Sequence, residues 1–130
     1  MKKVKLSFNI IQLQTINHCA LILRACSGIQ PFQLANNIND CKIASDLAIK
    51  EYQAQFELIE ERKTDAEEQS ENDFKELFNK TFEIEIPDLK ETDFLSLDIT
   101  GDKEVPQQNG EVKRFSYRDA YFNLLGLAIK

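Results

Sequence analysis

The chain predicts an α+β fold, helix-dominated, in which a small sheet of two or three strands packs against a long antiparallel helical hairpin and a C-terminal helix. Three observations carry that expectation. Short stretches near residues 3–10 and 81–86 alternate apolar and polar side chains, the period of a half-buried strand. A helical apolar pattern runs for some thirty residues with no Gly or Pro between Pro31 and Pro87. Four glycines and three prolines among 130 residues are too few for a turn-rich all-β fold.

In the first strand Val4, Leu6, Phe8 and Ile10 fall on one face, and Lys3, Lys5, Ser7 and Asn9 on the other. Asn9 also fits a helix N-cap, with Gln12 three residues on to close a capping box. The helix that follows, about Ile11 to Cys26, places Leu13, Ile16, Ala20 and Leu23 on one stripe, and Gly28 suits its left-handed end. Pro31 suits the first turn of a second helix, because its missing N–H has no partner there in any case. Leu34, Ile38, Cys41, Ala48, Tyr52, Phe56 and Ile59 carry that helix to about Lys63. A hairpin turning near Ile29 pairs the first helix with only half of the second. The half beyond Asp46 must overhang or pack on something later in the chain.

Thr64–Glu71 contains no large apolar residue and reads as a frayed helix extension or a mobile linker. Asp73 then caps a short helix with Phe74, Leu77 and Phe78 on one face. In the next strand Phe82, Ile84 and Ile86 point inward, and Pro87 stops it. A weaker alternation at Leu95, Leu97 and Ile99 offers a third strand, and 105–110 (VPQQNG) reads as a polar loop. Ser116 and Asp119 cap a last helix whose apolar face includes Tyr117, Ala120, Tyr121, Leu124, Leu125 and Ala128. The length fits one domain over 1–130, with 64–72 as the candidate mobile segment.

The charge is not spread evenly. Between Glu57 and Glu76 nine acids face three bases, Arg62, Lys63 and Lys75, for a local net charge of −6. The remaining residues hold thirteen acids and thirteen bases. A concentrated field of one sign attracts a partner surface of the other. Glu60, Glu61, Asp65, Glu67, Glu68 and Glu71 are therefore the candidate protein-binding residues.

Other chemistry has weaker support. His18 has no serine or carboxylate at hand to form a catalytic set, and it reads as structural. Cys19, Cys26 and Cys41 lack the paired short spacing of a zinc site and read as reduced, packed thiols of an intracellular protein. The hairpin about Ile29 would still bring His18, Cys19 and Cys41 near one another. Neighbouring acids, Glu60–Glu61, Glu67–Glu68 and the pair Glu83 and Glu85, admit a magnesium cluster only if a cleft gathers them. The glycines are isolated, so no phosphate loop is present. Lys113, Arg114 and Arg118 around Phe115 and Tyr117 resemble a single-strand binding surface, but the overall charge opposes direct nucleic-acid contact. Lys2, Lys3 and Lys5 precede a stretch too polar for a signal peptide, which reads as a cytoplasmic start. No run approaches a membrane span. No cofactor is expected.

The order of pieces resembles a diffuse family of small tailed-phage and prophage proteins. The stretches that carry the resemblance are Lys5–Phe8, the hairpin Ile11–Glu61, Asp73–Phe78 (DFKELF), Phe82–Leu89 (FEIEIPDL) and Ser116–Ile129. The second helix lacks a glycine expected near its end in that family. The resemblance implies a phage origin and supplies no functional residue. Together with the charge, it leads to the expectation of a non-enzymatic protein that binds a basic surface. The expected partner is a host nucleic-acid-handling protein such as an antiviral nuclease, which it would inhibit or redirect. A virion or assembly component is the alternative, and a metal-dependent enzyme comes third.

Overall fold

The computed structural model describes residues 3–26, 32–62, 67–95 and 97–129. Strand β1 (Lys3–Phe8) pairs antiparallel with β2 (Phe82–Pro87), with Val4 opposite Ile86, Leu6 opposite Ile84 and Phe8 opposite Phe82. The six apolar side chains of the two alternating stretches thus share one face. Phe8, Phe82, Ile84 and Ile86 are buried, and Val4 and Leu6 are half-buried. On the other face Lys5 lies opposite Glu85 and Ser7 opposite Glu83, all exposed.

Asn9 ends the strand and caps helix α1 (Ile10–Leu23). Its Oδ1 accepts from the Gln12 N–H at 2.9 Å, and the Gln12 Oε1 accepts from the Asn9 N–H at 3.0 Å. Ile10 opens the helix and does not extend the strand. The helix closes at Leu23, before the predicted Cys26, because the Ala25 and Cys26 N–H groups bond three residues back to Ile22 and Leu23. Gly28 and Pro31, read from the sequence as the end of one helix and the start of the next, lie outside the described residues.

Helix α2 (Phe32–Glu61) is roughly 45 Å long at 1.5 Å per residue. It runs antiparallel to α1. The Asn17 side-chain amide donates to the Ser45 hydroxyl at 3.1 Å and to the Asp46 carboxylate at 2.6 Å, and Arg24 donates to Asn39 at 3.3 Å. These pairs centre the hairpin two residues later than Ile29, so Cys41 slides away from the position opposite Asn17. Beyond Asp46 the long helix finds later partners, as the sequence required. Tyr52 meets Phe82 edge-on at 6.5 Å, and Phe56 meets Phe74 of α3 (Glu67–Asn79) at 4.8 Å.

The third alternation is not a strand. Glu91–Phe94 forms a 3₁₀ turn, Leu95 points to solvent with 81% of its surface exposed, and Leu97 drops into the core. The second strand pair comes later. β3 (Asp102–Pro106) and β4 (Val112–Ser116) form an antiparallel hairpin, separate from the first pair, which absorbs Val105 and Pro106 from the predicted loop. Gly110 takes φ +86° in its turn, a conformation costly for other residues. Ser116 Oγ then accepts from the Asp119 N–H at 3.3 Å and starts α4 (Tyr117–Leu124). This helix is shorter than its apolar pattern. Gly126 swings to φ +89°, and the chain turns back through Ala128 and Ile129, both buried, so that Ile129 bridges Leu89. The α+β, helix-dominated class holds, with two two-stranded sheets in place of one.

Two outcomes follow from this packing. Phe8→Ala should lower stability by roughly 3–5 kcal/mol in urea denaturation, because it empties a core aromatic site. The Asp46 carboxyl titrates below the ordinary aspartate range: burial alone would raise it, but hydrogen bonds from Lys42 and Asn17, with the Lys42 and Lys50 charges, outweigh that. A depressed folded-state value contributes stability that is complete above the unfolded value and lost as pH falls through the folded one. Between about pH 5 and pH 2 the parent chain should therefore lose more stability than Asp46→Asn, measured as urea midpoints along a pH series.

Candidate functional site

The acidic window folds into the end of α2 and most of α3. Phe56, Phe74 and Leu77 fasten the two helices together, and Ser70 is buried one turn earlier on the same stripe of α3. Asp73 is therefore not a cap. It lies mid-helix, accepts from the Gln69 side chain at 3.1 Å, and leaves Phe78 about half exposed on the far side. The stretch read as linker or frayed extension is helical from Glu67 onward.

Of the candidate residues, Glu60 and Glu61 are exposed at the end of α2 and Glu71 is exposed on α3. Glu57 and Glu76 extend the same surface. Glu67 and Glu68 form the first turn of α3 in their backbone, while their side chains and the whole of Asp65 lie outside the described residues. Among the described residues, no acid of the window is in an ion pair: the three pairs are Lys42–Asp46, Lys90–Asp88 and Arg114–Glu104. These carboxylates are open to solvent and to a partner. Glu60 and Glu61 also end α2 on the negative pole of the helix dipole, with no base in its last turn.

Sequence reasoning missed the groove beside them. Between α2 and α3 lies an open cleft of about 800 Å³ with Leu58, Ile59 and Leu77 along it. Arg62, Lys75 and Lys80 line the cleft with Asp73 and Glu76, so two of the three bases within the acidic window border it. The Lys80 ammonium is held by Gln55 Oε1 at 3.0 Å and lies over the Phe82 ring. The signal was available in the pattern, since Leu58 and Ile59 are the last large apolar residues before Phe74. What hid it was the reading of this stretch as a frayed extension or a mobile linker, where α3 in fact begins at Glu67.

The other candidates are dispersed. His18 is exposed and set edge-on to Phe115 at 4.5 Å, beside a small cavity of about 240 Å³ that Cys19 also borders. Among the described residues, no group of three or more His, Cys, Asp or Glu side chains is placed to hold a metal ion. The basic cluster near β4 is partly occupied, with Arg114 paired to Glu104 at 3.1 Å and Arg118 over the Phe122 ring. No family model matches this chain, and neither does any curated protein or solved structure. Among the described residues no helix is long and apolar enough to cross a membrane.

Cys19, Cys26 and Cys41 are buried and form no disulfide with one another, and the Cys26 thiol donates to the Asp98 carbonyl at 2.7 Å. Burial pushes the Cys19 thiol up to about 11, and burial with the nearby Asp40 charge pushes Cys41 up to about 12. At pH 8 in native buffer both should resist Ellman's reagent, whereas denatured protein should release colour for all three cysteines in the sequence.

Proposed function

We propose that the chain is a protein-binding module whose α2–α3 end docks on a basic surface of another protein. The observation that carries this is the row of exposed carboxylates on two joined helices, without ion-pair partners among the described residues, beside a groove that Leu58, Ile59 and Leu77 line together with charged side chains. The rim acids steer a basic partner and the groove receives an apolar side chain from it. Negative charge at the end of α2 opposes the helix dipole by about 0.3–1 kcal/mol per charge, so those glutamates are poorly explained by stability. Proteins that handle nucleic acid present lysines and arginines to phosphates. A carboxylate row competes for the same groups, which supports the finer reading of an inhibitor of such a protein.

Affinity capture of the tagged chain from its producing cells, with mass spectrometry, identifies the partner. Reversing Glu60, Glu61 and Glu71 to Lys should then slow association by about 10- to 1000-fold, the range of electrostatic steering, and added salt should slow the parent in the same way. The reversed protein should keep its helicity and melt no lower than the parent. A partner that binds it as fast and as tightly as the parent overturns the proposal.

A further inference from the structure

The sheet formed by β1 and β2 is covered over one strand and open at the other. Cross-strand partners share its inner face, yet Ile86 and Ile84 are buried while Val4 and Leu6 opposite them are only half-buried. The cover therefore ends at β1. Among the described residues, β2 is the one strand hydrogen-bonded to β1, and no backbone group outside β2 bonds to Lys3–Phe8. The N–H and C=O groups along the outer edge of β1 thus have no backbone partner there. Such an edge is a template for an added strand.

The side chains along that edge select its occupant. Val4 and Leu6 alternate with Lys3 and Lys5, which are exposed and in no ion pair among the described residues. Pairing with β1 of a second copy, apolar side inward, would gather four lysines on one face, a repulsion that deters like edges. A strand that alternates apolar and acidic residues is complementary on both faces. β2 already shows the match on the inner edge, where Phe82, Ile84 and Ile86 lie opposite Phe8, Leu6 and Val4, and Glu85 lies opposite Lys5. We propose that the open edge of β1 captures an extended segment of another protein in which apolar and acidic residues alternate. The backbone of that segment bonds to β1, its apolar side chains complete the cover of Val4 and Leu6, and its carboxylates flank Lys3 and Lys5. The column of lysines then stands between two columns of acids, those of β2 and those of the added strand.

This contact is separate from the one proposed for the α2–α3 end, because it selects a segment of the opposite charge. Its affinity comes from backbone bonding along one strand, and its specificity from the alternation of side chains.

The chain's own β2 supplies the probe. An acetylated and amidated peptide of residues 81–87 (TFEIEIP) carries the required alternation. Titrated into the nitrogen-15-labelled intact chain, it should shift the backbone amides of Lys3–Phe8, slow their hydrogen exchange and bind more weakly as salt rises. The same peptide with both glutamates replaced by lysine should bind about tenfold more weakly. Lys3→Glu combined with Lys5→Glu should reverse that preference, with circular dichroism checking that the variant stays folded. The comparison of the two peptides on the unaltered protein is decisive even where the double variant unfolds. Absence of amide shifts in β1 up to about 1 mM peptide overturns the proposal. So does equal binding of the lysine peptide, or loss of the chain's own β2 amide signals, which marks exchange of strands in place of addition. None of these outcomes depends on the basic partner of the acidic end.

Discussion

Everything else in the molecule is arranged around the burial of α1. Its side chains at Leu13, Ile16, Cys19, Ala20, Ile22 and Leu23 are almost wholly excluded from solvent and cover far more than one stripe of the helix. A helix apolar over most of its circumference must be covered on more than one side. The first half of α2 covers one side, and α4 with the C-terminal turn covers another. The Tyr117 hydroxyl reaches back to donate to the Ala25 carbonyl at 3.1 Å, which joins the last helix to the end of the first. Burial supplies the energy of this packing, while its register comes from few polar contacts. The Asn17 amide, bonded to Ser45 and Asp46, is the clearest of them, because a half-buried amide tolerates only a position where its hydrogens are received.

Once α1 takes only the first half of α2, the rest of that helix has to be sheltered differently. Its inner side finds β2 and α3, and the aromatic run Phe82, Tyr52, Phe56, Phe74 passes from sheet to helix to helix. The cover thins along this run. Residues of α2 past Ala48 are at most half-buried, and α3 buries only Ser70 and Leu77 among its described side chains. The charge follows the same gradient, with the neutral body at one end and the acids where cover is thinnest. Local stability is lowest at such ends, where few apolar contacts hold the backbone. A contact surface built there can adjust to a partner without disturbing the core.

Much of this was legible in the chain. The alternation of Phe82, Ile84 and Ile86 against glutamates has one physical meaning, and so has the Asn9–Gln12 pair at the strand-to-helix junction. Signals failed where tertiary contact replaced local pattern. Asp102–Pro106 and Val112–Ser116 carry hardly any apolar alternation, because their pairing holds a half-buried Phe115 and little else. Leu95, Leu97 and Ile99 alternate well, but a 3₁₀ turn consumes the residues before them and Leu95 faces solvent. The last helix outran its true end because Leu125, Ala128 and Ile129 are apolar for burial in a turn. Gly126 was the mark that went unused. At the candidate site, the charge run lies at the joined ends of α2 and α3. The groove beside it depended on α3 starting at Glu67, and a run of acids without large apolar residues does not announce a helix whose large apolar anchors, Phe74 and Leu77, come later.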